Sequence, residues 1–164
     1  MRPEQIVKRL YLLLILQLRT RKIVRWRVTE HPTREFVRQQ IIDFTYDLPE
    51  TVTLIHDNGS QFISIDFTQY NIKAVNTSVA APNMNVYVER LIGSVRREAL
   101  DHFLLFSENQ VTRIISEYVN YYNTQRPHQR TKHIPEGESI PAFGIILKKS
   151  ILLGLNHHYY RSSA

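Results

Sequence analysis

Apolar residues fall in blocks whose period changes along the chain. "LYLLLIL" and "IVRWRV", joined by the basic turn "RTRK", predict a hairpin of strands over Leu10 to Leu18 and Ile23 to Val28, with Trp26 in the second. After "HPT", Val37, Ile41 and Phe44 recur at helical spacing and predict a helix over Arg34 to Tyr46. Thr51 to His56 predicts a third strand and Ile72 to Ser78 a fourth, while "ISIDFTQY" between them fits neither period. "AAPN" breaks the chain before a second helix, Asn85 to Phe103, whose apolar stripe is Val88, Leu91, Ile92, Val95, Ala99 and Phe103. Ser107 and Gln110 form a capping box, and Val111, Ile114, Ile115, Tyr118 and Tyr122 follow on one helical face. Prolines and polar residues from Arg126 to Pro141 end that helix, and "FGIILKKSILLGLNHHYYRSSA" predicts a strand or an ordered tail.

Strands first, then mostly helices, with helices crossing between strands, predict an α/β fold: a mixed sheet covered by helices. At 164 residues the length predicts one domain with a proper core. We expect that domain over residues 1–136, with 137–164 as an extension.

Charge sharpens the picture. The net charge is +6, and residues 1–40 hold ten Arg and Lys against three Asp and Glu. A basic front suggests a polyanion such as nucleic acid, although a solvated face of an ordinary basic protein fits equally well. Cysteine is absent, so disulfides and thiolate metal sites are excluded, which fits a cytoplasmic location. Met1 to Leu18 has the outline of a signal peptide, but Gln17, Arg19, Arg21 and Lys22 stand where a small-residue cleavage site belongs. The apolar run is also far short of the roughly 20 residues that span a bilayer, so we read it as a buried strand and expect no membrane partner.

Two acids draw attention. Asp57, in "HDNGSQF", stands where a strand ends and the chain turns, a place where side chains reach a crevice while the strand holds their base. A plain Asn-Gly turn explains the same residues. A calcium loop does not, because no Glu stands where its twelfth ligand falls. Glu89 shares a helix stripe with Asn85, Gly93 and Arg96, which together offer a carboxylate, a cation for phosphate and a close-approach glycine. A surface Glu–Arg helix fits them too.

The order "HDNGSQF", "APN-N", the helix carrying "ER", a basic pair with Glu98, then "YYNTQRPHQ" resembles the catalytic core of retroviral-integrase-like DDE transposases, especially those of bacterial insertion sequences. The resemblance covers roughly residues 10–136, and "LLGLNHHYYR" is similar to the end of some of these proteins. It implies a ribonuclease H-like fold and three carboxylates holding two magnesium ions about 3.5–4 Å apart for phosphodiester strand transfer. Asp57 and Glu89 match two of the carboxylates, as catalytic residues and metal ligands. Asn85, Arg90, Arg96 and Arg97 match the DNA-contacting helix. Asn123, Arg126, Pro127 and His128 match the closing segment, with Arg126 and His128 in a structural or DNA-contact role.

The implied partners are element ends and target DNA, with a homo-oligomer or an intact transposase as protein partner. The match is incomplete. No Asp precedes Asp43, which falls in the first helix, and Glu4 is the sole acid before Glu30. The family's first Asp, and the strand that bears it, are therefore missing, and we expect an N-terminally truncated core. Glu89 follows Asp57 by 32 residues, short for the family, which suggests a trimmed helix around "ISIDFTQY". Two functions follow: an enzyme of DNA integration, or a non-catalytic remnant that binds DNA or inhibits an intact transposase. A ribonuclease H-like nuclease outside transposition is a weaker third.

Overall fold

The computed structural model describes residues 9–46, 48, 50–57, 59–62, 65–77, 86–127 and 143–162. Six strands and three helices form within them. They are β1 (Tyr11–Leu16), β2 (Ile23–Thr29), α1 (Arg34–Thr45), β3 (Val52–His56), β4 (Ile72–Asn76), α2 (Val86–Glu98), α3 (Glu108–Thr124), β5 (Ile146–Ile151) and β6 (Asn156–Arg161). The fold is mixed α/β, as the alternating blocks predict. Among the described residues the strands pair in twos: β1 with β2, β3 with β4 and β5 with β6.

The chain divides into two compact units, Met1–Leu13 with Arg27–Glu89, and Leu14–Trp26 with Arg90–Ala164. In the first, β3 and β4 run parallel in the register Val52↔Ile72 to His56↔Asn76. A parallel pair needs a long return, here residues 57–71, in which the described regular structure is a 3-10 turn over Thr68–Tyr70. Asp66 sets that turn: its Oδ1 accepts from the Thr68 amide at 3.0 Å and hydroxyl at 2.6 Å, bonds that hold its carboxyl below the usual range. Asn71 closes the turn at φ 56°, a left-handed conformation that Asn tolerates well. Thr33 caps α1 by accepting from the Phe36 amide, and Val37 and Ile41 turn into the core.

The second unit is built on α3. Val111, Ile114, Ile115, Tyr118 and Tyr122 are all buried, as their spacing predicts, together with Val119 and Asn123. Ser107 caps the helix by accepting from the Gln110 amide at 3.2 Å. The Gln110 side chain reaches one residue further back than in a capping box, to the Phe106 amide at 2.8 Å, and its Nε2 donates to the Leu104 carbonyl.

Several expectations are corrected. The first strand is half-buried rather than buried, since none of its residues is fully enclosed. The second helix stops at Glu98 instead of Phe103, because Ala99 leaves helical geometry at φ −139°, ψ −77° and a 3-10 turn over Leu100–His102 follows. Its buried side chains are Leu91 and Val95, with Ala99 buried just past its end, while Ile92 lies 46% exposed. The C-terminal stretch forms an antiparallel hairpin of β5 and β6.

Candidate functional site

Asp57 leaves the carboxyl end of β3, beside the end of β4, where the Thr77 amide still donates to the His56 carbonyl at 2.9 Å. The turn is braced from within. Asp57 Oδ1 accepts from the Gly59 amide at 3.0 Å, and the His56 ring stacks on Phe62 at 4.8 Å with Phe67 at 5.9 Å. His56 Nδ1 lies 2.7 Å from the Asp57 carbonyl oxygen. A carbonyl only accepts, so Nδ1 carries the proton. Gly59 leaves room for two side-chain ends: a Cβ there would lie 2.6 Å from Gln61 Nε2 and 2.9 Å from Asp57 Oδ1 and displace them. The turn reading of "HDNGSQF" therefore describes the local structure, and it leaves the Asp57 carboxylate at the exposed end of a parallel strand pair.

Glu89 lies exposed in the first turn of α2, where a carboxylate complements the helix dipole, and Arg96 and Arg97 occupy the last turn. Arg90, Arg96 and Arg97 are also exposed. Arg96 Nε is 3.7 Å from Asp101, both largely in solvent, a loose pair that competes weakly with a phosphate. Arg97 folds back over Gly93, where a Cβ would meet its Nη1 at 2.8 Å. The space that glycine opens is thus filled by a guanidinium of the same helix.

At the far end of α2 lies a cluster that spacing along the sequence did not reveal. Glu98 Oε2 accepts from Arg126 Nε at 2.7 Å and from the Tyr118 hydroxyl at 3.0 Å, while Oε1 accepts from Arg126 Nη2 at 2.6 Å. The Arg126 guanidinium also lies 5.6 Å from the Tyr122 ring centre. Burial and the Glu98 carboxylate push the Tyr118 hydroxyl well above the usual tyrosine range. The hydrogen bond to Glu98 holds Arg126 more firmly protonated, against the opposing effect of burial. Next to it in the fold, the Asn123 carboxamide accepts from the Ile23 amide and donates to the Ile23 carbonyl, both at 3.0 Å. The pairs Glu98–Arg126 and Ile23–Asn123 join residues 28 and 100 apart in sequence, beyond the reach of periodicity.

Of the other expected site residues, Asn85 and His128 lie outside the described residues. Among those described, no group of three His, Asp or Glu side chains is placed to hold a metal ion. Asp57, whose Oδ1 braces its own turn, and Glu89 do not by themselves fit the three-carboxylate, two-magnesium site that the resemblance implies.

Residues 70–135, from the end of the Thr68–Tyr70 turn through all of α2 and α3, match the integrase core domain model, and two proteins of bacterial insertion elements are similar to the chain. It is 31% identical over 86 residues to the uncharacterized 39.2 kDa protein of insertion element IS476 from Xanthomonas euvesicatoria, covering 50% of this chain and 25% of that protein. It is 28% identical over 132 residues to the uncharacterized 31 kDa protein of insertion element IS600 from Shigella sonnei, covering 76% of this chain and 48% of that protein. The matched regions thus span at most about half the length of these relatives. Among the described residues no helix is long and apolar enough to cross a membrane.

Proposed function

We propose that this chain is a DNA-handling integrase core of ribonuclease H-like fold whose α2 lies along duplex DNA, in the cytoplasm and at the nucleoid when bound. The observation that carries the reading is the exposure of three guanidiniums, Arg90, Arg96 and Arg97, on one helix inside the matched segment. Guanidiniums exposed along a helix, Arg90 and Arg97 on one face and Arg96 beside it, suit phosphate oxygens, which take bidentate hydrogen bonds and reward the release of counterions. Arg126, held by Glu98, serves the fold rather than the DNA. Strand transfer would need a third carboxylate beside Asp57 and Glu89; the role this reading gives the residues described is to occupy element ends or target DNA, or to pair with an intact transposase and inhibit it.

The test is duplex binding at low salt, followed by incubation with magnesium. Nanomolar to micromolar binding that weakens about tenfold in the Arg96→Ala/Arg97→Ala double variant, without cut or joined products, supports the proposal. Absence of duplex binding overturns the DNA reading. Efficient cutting or joining that Asp57→Asn abolishes overturns the non-catalytic part and restores the enzyme reading, which the place of Asp57 at the carboxyl end of a parallel strand favours.

A further inference from the structure

The β5–β6 hairpin has a composition that the core function leaves unused. From Phe143 to Ala164 the sequence has Lys148, Lys149 and Arg161, two histidines and two tyrosines, and no Asp or Glu. Cross-strand partners share a face, so the register Ile146↔Arg161, Lys148↔Tyr159 and Ser150↔His157 puts Lys148, Arg161, His157 and Tyr159 on one side. The opposite side holds Ile151, which is buried, and Asn156, whose Nδ2 donates to the Glu98 carbonyl at 3.0 Å. The hairpin turn is pinned as well, by the Leu152 amide donating to Glu117 Oε1 at 2.6 Å. The Lys148 side therefore looks away from α2 and α3 on a base held by two hydrogen bonds. On it the Tyr159 ring is 59% exposed and leans on His157 at 6.4 Å.

We propose that this face binds single-stranded DNA, with an unpaired base stacked on Tyr159 and adjacent phosphates on Lys148 and Arg161. An exposed ring facing Lys148 across the strands, with Arg161, whose Nη1 also donates to the Gly144 carbonyl at 3.1 Å, two residues along its own strand, on a segment without acidic side chains, matches a strand that carries charge on its backbone and offers free base faces. A duplex hides its base faces, so the ring distinguishes the two. The proposal rests on the DNA-handling reading but uses other residues, so the two are separable.

The experiment measures fluorescence anisotropy of the whole chain with a labelled oligothymidylate and, separately, with a duplex of equal length. Tyr159→Ala weakens oligothymidylate binding about tenfold and leaves duplex affinity unchanged, whereas Tyr159→Phe binds as the parent does. Lys148→Ala lowers the slope of log affinity against log salt by about 0.7 on the single strand. Tyr159 is exposed, so its variants keep the fold, which circular dichroism checks. Unchanged oligothymidylate binding in Tyr159→Ala overturns the hairpin proposal, and if duplex binding still falls in Arg96→Ala/Arg97→Ala the core reading stands. Loss of single-strand binding in Tyr159→Ala without any duplex binding by the parent leaves the hairpin proposal standing and removes the core reading. Failure of the parent to bind either DNA removes both.

Discussion

Arg126 grips Glu98 with two parallel hydrogen bonds, at 2.6 and 2.7 Å, and so ties the end of α3 to the end of α2. The two side chains are only 20% and 26% exposed, so neither charge is well served by water if its partner is removed. Glu98→Gln is expected to lower unfolding free energy by about 2 kcal/mol, read from the urea midpoint. Arg126→Met added to it should cost less than the two single effects combined, because the orphaned cation is then gone as well.

Asn123 serves both polar groups of one residue, the amide and carbonyl of Ile23, which is 3% exposed. Asn123→Ala leaves both unpaired and is expected to destabilise by about 2–3 kcal/mol in chemical denaturation. Asn123→Asp keeps an acceptor for the amide but offers no donor to the carbonyl, so it should also destabilise, despite its near-identical shape.

Gly93→Ala works in the opposite direction. The new methyl meets only the far end of the Arg97 side chain, which swings aside. Removing a glycine from a helix interior should then stabilise by about 0.5–1 kcal/mol, seen as a higher melting temperature.

Alkaline pH should unfold the protein through its tyrosines. Burial raises Tyr118, Tyr121 and Tyr122 above their usual range; the Glu98 carboxylate acts in the same direction and the Arg126 charge against it. A folded-state value above the unfolded one means stability is fully present below about pH 10 and falls as pH rises beyond it, because the unfolded chain releases protons the folded one keeps. Urea midpoints measured from neutral pH upward should stay level to that point and then drop, and Tyr118→Phe should flatten the drop.

Periodicity and capping chemistry were legible wherever they act locally. Ser107 with Gln110 marked the start of α3, and the spacing of Val111 to Tyr122 marked its buried face, because both depend on neighbours within one or two turns. The end of α2 was hidden, since Ala99 and Phe103 continue the apolar spacing while the backbone turns away at Ala99. The sequence does not separate strand from tail at the C-terminal hairpin, because its turn places Leu152 and Leu153 at φ 50° and 57°, where Gly or Asn would signal the bend. On the candidate site, the order of motifs singles out Asp57 and Glu89 as candidates. What Glu98 does, and how Asn123 is bonded, depend on which elements meet in space, and single-chain spacing carries no record of that.

The bond between Ile23 and Asn123 also sets a timetable. During synthesis at about 5–20 residues per second, the start of β2 leaves the ribosome several seconds before the residue that completes its hydrogen bonds exists. Until then an amide and a carbonyl in an apolar hairpin stay open to water, to chaperones or to another strand. A nascent chain halted before residue 123 should therefore be more readily cut by protease near Ile23 than one released after it, which makes α3 the step that commits the N-terminal hairpin to its place.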